Sequence, residues 1–316
     1  MRAIAVHETG DIPELMDLPV PRPAPGEIVV RLEAASLNPI DAGIAAGHFE
    51  GRMPHVYPLV LGVDGAGRVT EVGAGVRGFE PGDLVLGQFL CAPLGRGTFA
   101  EYAVVPELPE GGAWQRVPEG VSAQVAAALP TAGMTALGAL DTIGPRPGRS
   151  VLIVGATGGV GVFAVQLAAM YGADVIATAR SEADAWIRGL GATHTVDYTS
   201  GDVPEQVRKT YPDGVDAVFD LTLDPARFAE NAGLVRDGGT AVSAALVATP
   251  ELLAAERITV VNFMMRNKPD LLARITAEVA SGRITVPIQR TITLDQVPDA
   301  LASGASGARG KTTIHL

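Results

Sequence analysis

The 316-residue chain contains one cysteine, Cys91, which excludes an intramolecular disulfide and any site built from several cysteines. Histidine is nearly as scarce. His7, His48, His55, His194 and His315 are scattered with no i, i+4 pair, so no helix presents two imidazoles to a metal. Cations are in deficit as well, 24 Lys and Arg against 35 Asp and Glu, for a net charge of −11 and a pI near 4.9. Such a surface repels nucleic acid and anionic membranes. No uninterrupted apolar run approaches the roughly 18 residues that mark a membrane span, and "MRAIAVHETGD" lacks an apolar run of signal-peptide length. The expectation is a cytoplasmic protein with neither nucleic-acid nor membrane partners. Hydrophobic residues at 47% and charged residues at 19% suit a folded chain. Single cores stop growing near roughly 250 to 300 residues, so two domains are expected.

Glycine and proline are plentiful, and their placement divides the chain. Up to about Val121, short strand-like runs ("RAIAVHE", "EIVVRLEAASL", "GAGRVTEVGAGV", "GDLVLG", "TFAEYAVVP") are broken by Gly and Pro, the pattern of a barrel or sandwich. From Ser122 the texture changes to a helical stretch, "SAQVAAALPTAGMTALGAL". Beyond it, strands are expected at 151–154, 174–179, 193–196, 215–221, 240–244 and 258–263. Helices are expected at 161–171, 182–189, 204–210, 225–235 and 250–255. Six strands alternating with five helices predict a doubly wound parallel sheet. A last helix, "PDLLARITAEVASG", and short strand-like pieces return to the first texture. The expected layout is a β-rich substrate domain, 1–125 and 266–316, with a dinucleotide-binding α/β domain, 126–265, inserted in it.

"VLIVGATGGVG" joins the first of those strands to a helix, with Gly155, Gly158 and Gly161 in G-x-x-G-x-x-G spacing. Thr157, Gly158, Gly159 and Val160 are the candidate pyrophosphate contacts. Gly158 allows close backbone approach, and Gly161 allows the helix to pack tightly on the strand. The helix start offers free N–H groups and a positive dipole end. The second strand, "DVIATA", ends in Arg180 and Ser181, with none of the acidic residues that hold a ribose 2′-hydroxyl in NAD sites. Arg180 is either a partner for the 2′-phosphate of NADPH or a solvated surface arginine. Tyr198, past the third strand, either lies against the adenosine phosphate or is a boundary tyrosine.

Taken in order, "EIVVRLEAASLNPIDAGIAAG", "LGVDGAGRVTEVGAGVRGFEPGDLVLG", "GTFAEYAVVP", "LPTAGMTAL", "VGATGGVGVFAVQLA" and "LGATHTVDY" resemble the medium-chain dehydrogenases and reductases, and within them the zinc-free quinone oxidoreductase branch related to zeta-crystallin. The resemblance covers essentially the whole chain. It implies a Rossmann sheet inserted in a GroES-like β-rich domain, and a homodimer paired through the edge of the parallel sheet. Zinc members of that family carry Gly-His-Glu where this chain reads "LGVDGAG", and a cysteine within the segment "LNPID". Here Val63 and Asp64 replace the His-Glu pair, Asn38 lies in the cysteine segment, and "LCAPLGRGT" replaces the structural zinc lobe. No metal site is therefore expected.

Without zinc to activate a hydroxyl, the implied chemistry is hydride transfer from NADPH to a quinone or an α,β-unsaturated carbonyl. The resemblance points to Asn38, Asp41 and Thr131 as catalytic candidates. Asn38 and Thr131 are also placed at the nicotinamide, although Asp41 could serve as a turn or cap residue and Thr131 as a helix N-cap. The resemblance further implies that Leu221, the turn at Ala244, Ala245 and Leu246, and Asn262, Phe263 and Met264 close over the cofactor. Relatives often carry two tyrosines where this chain has Gly43 and Phe49. Protonation is then expected from solvent, or through Tyr57 or His48. The small residues of "AGIAAGH" suggest a pocket roomy enough for a bulky substrate. Two other readings stand beside this one: an enoyl-thioester reductase, which would need a basic surface for a carrier phosphate, and an NADPH-binding sensor or structural protein without catalysis.

Overall fold

The computed structural model describes residues 1–108, 111–266, 268–304 and 307–316. Six parallel strands lie in the order His194–Val196, Asp174–Thr178, Ser150–Val154, Val215–Asp220, Val235–Ser243, Thr259–Asn262. In chain order this is 3-2-1-4-5-6, the Rossmann arrangement, and the order reverses between Ser150–Val154 and Val215–Asp220. Both of those strands are buried along their length, which is why each reads as an almost continuous apolar run. Alternate residues serve opposite faces. Val151, Ile153 and Phe219 pack with Phe163 on one side, and Leu152, Val154 and Val218 pack with Phe228 on the other.

The expected strands and helices of this sheet are present, with one extension. The helix expected to reach residue 235 ends at Ala232, and the strand expected from 240 begins at Val235. The register with the neighbouring strand shifts between Val215 and Ala217. Gly239 lies where a Cβ would stand 2.5 Å from the Asp216 carbonyl, so the strand passes that point on a residue without a side chain.

The β-rich part forms two sheets. One runs Ile288–Thr293, Lys311–His315, Glu27–Ser36, Asp64–Val72, Leu84–Gln88, Ala113–Arg116, with Tyr102–Pro106 also paired to Glu27–Ser36. The other runs Glu14–Asp17, Arg2–Val6, His55–Val60, Leu94–Arg96. The C-terminal strand Lys311–His315 lies antiparallel to Glu27–Ser36, with Thr313 opposite Ser36. The chain thus returns to the β-rich part after the parallel sheet is complete.

The helical stretch that joins the two parts is two helices, Ala123–Ala128 and Pro130–Ile143. Ser122 caps the first, and Pro130 occupies the first turn of the second, where its missing N–H costs nothing. Gly133 and Gly138 let the second helix lie directly against its neighbours. A Cβ at either would stand 2.8 Å from Ile275 or Phe263 respectively. Among the described residues no helix is long and apolar enough to cross a membrane. Phe163 sits with no exposed surface beneath Gly133, so Phe163→Ala is expected to lower unfolding free energy by about 3–5 kcal/mol. Denaturant titration of the variant against the parent measures that loss.

Candidate active site

At the switch point of the parallel sheet the chain leaves Ser150–Val154 through Gly155, whose φ of +81° is the left-handed region open to glycine. Gly155 donates its N–H to Thr178 Oγ1 at 2.9 Å, and Gly158 donates to the Gly155 carbonyl at 3.1 Å, closing a tight loop. The helix Gly161–Met170 follows at once. A Cβ on Gly161 would meet the Gly155 and Ala156 carbonyls at 2.3 and 2.5 Å, so only glycine fits there. Gly158 faces open space, with its nearest neighbour 3.4 Å from a Cβ. Backbone approach and helix N–H groups are both available to a phosphate here. Thr157, Gly159 and Val160, half-buried, complete the turn. Thr157 accepts the Gly310 N–H at 2.8 Å, and the Lys311 stem comes within 3.0 Å of a Cβ placed on Gly159. The C-terminal strand therefore meets the phosphate turn directly.

Past the ends of the strands Asp174–Thr178 and His194–Val196, Arg180 and Tyr198 come together although eighteen residues separate them. Arg180 Nε donates to the Tyr198 hydroxyl at 3.0 Å, and the guanidinium lies 5.9 Å from the ring centroid. Asp197 ties the same two loops. Its Oδ2 accepts Ser181 N and Oγ at 3.0 and 2.5 Å, and its Oδ1 accepts Thr199 N and Oγ at 2.8 and 2.6 Å. Those hydrogen bonds, first of all from the Ser181 and Thr199 hydroxyls, hold the Asp197 carboxyl well below the usual carboxylate range.

Between the two sheets a polar network is assembled from distant segments. Asp64, with no exposed surface, stands over the start of the helix Pro130–Ile143 and accepts the Thr131 N–H at 3.0 Å and its hydroxyl at 2.7 Å. Asn38 Nδ2 donates to Asp64 at 2.9 Å and to the Ser36 carbonyl at 3.3 Å, and Asn38 Oδ1 accepts Lys311 Nζ at 2.6 Å. Lys311 also donates to the Leu37 carbonyl at 3.0 Å and is 3% exposed. Asp41 accepts the Asn38 N–H at 2.7 Å at the start of the helix Pro39–Ala45, which is the capping role open to it from the sequence. On the other side, Gln88 Nε2 donates to Thr131 Oγ1 at 2.7 Å, and Gln88 Oε1 accepts Lys268 Nζ at 2.7 Å. Thr131 lies within the first turn of its helix and caps nothing itself. Val63 is in the apolar core.

This arrangement has known relatives. Residues 159–278 match the model of a zinc-binding dehydrogenase, and residues 24–109 that of an alcohol dehydrogenase GroES-like domain. The chain is 32% identical to the chloroplast envelope quinone oxidoreductase homolog of Arabidopsis thaliana, over 96% of this chain and 93% of that protein. It is 31% identical to the mitochondrial NAD(P)H oxidoreductase RTN4IP1 of Mus musculus, over 92% and 82%. A solved structure described as an NAD-dependent alcohol dehydrogenase superposes along the full length of both chains with a TM-score of 0.87 at 33% identity. The chain belongs to the medium-chain dehydrogenase/reductase superfamily. It is an oxidoreductase of that superfamily, with a GroES-like part and a Rossmann sheet.

In this dehydrogenase/reductase the remaining candidates lie at or follow the C-terminal ends of the last three parallel strands. Leu221, half-buried, follows Val215–Asp220 and has its Cβ 3.2 Å from a Cβ placed on Gly155. Ala244, Ala245 and Leu246 follow Val235–Ser243, and Leu246 takes a φ of 60°, a strained choice for leucine, while half exposed. Asn262 spends its amide on Ala248, accepting its N–H and donating to its carbonyl, both at 3.0 Å. Phe263 packs on Gly138, and Met264 is exposed. Among the described residues neither His48 nor Tyr57 joins the Asn38 network by a hydrogen bond. Asp64, Gln88, Lys268 and Lys311 were not candidates from the sequence. The local signal of Asp64, Gln88 and Lys311 is a polar side chain in an otherwise apolar strand, as in "LVLGQ" and "GKTTIHL", and Lys268, at the start of a helix, has none.

Two carboxyl groups and an ammonium thus share one buried site. Burial pushes the Asp41 carboxyl up to about 8, with the Asn38 N–H and Lys311 pulling it back and Asp64 adding to the rise. Burial also raises Asp64 and lowers Lys311, each opposed by the other's charge. Asp64 has the helix N-terminus and the donors of Thr131 and Asn38, so it carries the single negative charge opposite Lys311, and Asp41 keeps its proton near neutral pH. A carboxyl whose folded pKa is raised binds a proton in the folded state that the unfolded chain has lost. Its stabilising contribution is present below the ordinary value of 3.8 and disappears as pH rises through about 8. Asp41→Asn is expected to flatten the fall in melting temperature between about pH 4 and about pH 8, read by calorimetry across that range.

Proposed function

We propose that the protein reduces quinones or α,β-unsaturated carbonyls with NADPH and without zinc. The observation that carries the reading is the donor set at Asn38, Asp64 and Thr131. An amide already held by Lys311, one carboxylate balanced by that ammonium, and a hydroxyl already bound to the carboxylate do not make a zinc site, which needs three free Cys, His or carboxylate ligands. Among the described residues no group of three or more His, Cys, Asp or Glu could hold a metal ion. The names of the Arabidopsis and mouse relatives, a quinone oxidoreductase homolog and an NAD(P)H oxidoreductase, agree in direction.

When bound, NADPH supplies the hydride. The protein's own residues orient and shield. The turn at 157–160 and the helix behind it fit a pyrophosphate, because a Cβ at Gly161 would fill the space the loop needs to close. Arg180 offers a charge-assisted partner to a 2′-phosphate, with Tyr198 fixing its direction. Asp197 is committed to Ser181 and Thr199 and so is not free to take a ribose 2′-hydroxyl, which favours NADPH over NADH. Phe263, Leu221 and Leu246 provide an apolar wall that keeps water from the hydride. A substrate with an electrophilic carbon needs no Lewis acid, only a placed partner for the charge that develops on its oxygen.

Loss of nicotinamide absorbance on mixing protein, NADPH and a panel of quinones and enones is the expected result, and no turnover with any of them ends the proposal. Arg180→Ala should weaken NADPH by about tenfold or more while NADH changes by less than about twofold; equal losses would mean that Arg180 does not meet the 2′-phosphate. Stoichiometric zinc in the purified protein would contradict the metal-free reading. We extend the proposal to a homodimer through the outer strand Thr259–Asn262, whose Val260 and Val261 are half-buried, with light scattering giving the mass of a pair.

A further inference from the structure

Lys268 is the first residue of the helix Lys268–Ala280, immediately beyond the segment that carries Phe263. Its ammonium donates to Gln88 Oε1 at 2.7 Å and to the Gly111 carbonyl, which leaves one of its three N–H bonds without either of these acceptors. Gln88 is 2% exposed and passes the connection on to Thr131 at 2.7 Å. The ammonium is therefore one glutamine away from the Asp64 network, on the side open to solvent, and Lys268 itself is half-buried. Asn38, Thr131 and Lys311 are committed or sealed, and the unpartnered Asp41 Oδ1 and Ser36 Oγ are buried. Asn38 uses its amide on Asp64, Ser36 and Lys311; Thr131 uses its hydroxyl on Asp64 and Gln88; Lys311 is sealed at 3% exposure.

We propose that Lys268 is the group that meets the substrate oxygen. This rests on the reductase reading. As the substrate carbon accepts hydride from the reduced nicotinamide, the adjoining electron pair moves onto the carbonyl oxygen, and the Lys268 ammonium faces that oxygen and gives it a proton. One N–H bond breaks and one O–H bond forms, the substrate is reduced and the nicotinamide oxidised, and the amine regains its proton from water at its exposed side. Gln88 and the Gly111 carbonyl aim the ammonium, so its direction is set before the substrate arrives.

Burial lowers the lysine pKa from 10.5, opposed by the Asp64 charge, which suits a group that must part with its proton. The charged groups on the elements packed around it are Asp64 beyond Gln88, Arg116 paired with Asp83, Asp141 paired with Arg274, and Asp270 on its own helix beside Arg274. The rate should accordingly fall at high pH, as the ammonium is lost, with a midpoint below 10.5.

Two variants and two readouts test this. Lys268→Met removes the charge with little change in volume, and Lys268→Arg keeps a cation that cannot give up its proton near neutral pH. Steady-state reduction of a quinone gives the first readout. Absorbance of 4-nitrophenol bound in the presence of NADP+ gives the second, since an ammonium at the oxygen holds that phenol as its yellow phenolate below its solution pKa. Lys268→Met should lower kcat by about tenfold or more with KM within about threefold, and should lose both the alkaline limb and the phenolate signal. Lys268→Arg should restore the phenolate signal but only part of kcat. A methionine variant with kcat within about twofold of the parent and an unchanged phenolate signal overturns the assignment. So does one that loses melting temperature and NADPH affinity while the phenolate signal stays, because Lys268 would then only tether the helix to Gln88. Turnover by the parent with an unaffected methionine variant defeats the lysine and spares the reductase. A lysine-dependent phenolate signal in a parent that reduces no quinone or enone defeats the reductase and spares the oxyanion site.

Discussion

The Asp64 carboxylate at the start of the helix Pro130–Ile143 is the contact on which the rest of this molecule turns. Asp64 belongs to the β-rich part and Thr131 to the helix that leads into the parallel sheet, so two hydrogen bonds from one residue join the two halves of the cleft. A buried carboxylate in that position would be costly alone. The helix N-terminus, the Asn38 amide and the Lys311 ammonium together supply what water would have supplied. Lys311 extends the same constraint to the third segment, because its strand pairs with Glu27–Ser36 while its stem runs beside Gly159. Phosphate turn, domain junction and C-terminal strand are thus one electrostatic unit.

Much of this fold is legible in the residues. Strands such as Ser150–Val154 and Val215–Asp220 announce themselves because both faces are buried and every position is apolar or paired. The short strands Glu14–Asp17, His55–Val60, Leu94–Arg96 and Ala113–Arg116 do not, since they are three to six residues long and one carries a proline within it. The break at Pro130 was likewise hidden inside a helical composition. In the site, local signals marked the glycine turn and singled out Arg180 and Tyr198 separately, without reporting that the two pair. Lys268 and Gln88 are 180 residues apart, and Lys311 and Asn38 are 273 apart. No periodicity in a single chain reports such a pairing, because the pattern of a strand records which face is buried and not what lies across it.

The roles expected of Asn38 and Thr131 are sharpened by what their atoms already do. Asn38 has no amide hydrogen left over, and the Thr131 hydroxyl both donates and accepts within the protein. These groups hold geometry, and on the proposal above a direct polar contact with substrate falls to Lys268, which among the described residues has a donor beyond those given to Gln88 and Gly111. The Asp41 carboxyl, protonated near neutral pH, keeps the cluster from carrying two negative charges against one positive one.

Charge is distributed around the site in a way that the net value of −11 conceals. Arg180 stands beside Tyr198, a helix start follows Gly161, and Lys268 lies beyond Gln88, so positive groups are spaced across an otherwise acidic surface. The cation beneath them, Lys311, is neutralised by Asp64 and sealed, so it adds no net charge to the pocket floor. On the metal-free reading proposed above, a neutral, hydrogen-bonded floor leaves an alcohol unpolarised. The reaction that suits such a floor starts from a carbon that is electrophilic before it binds, and requires of the protein only a fixed hydride distance and one well-placed donor at the oxygen.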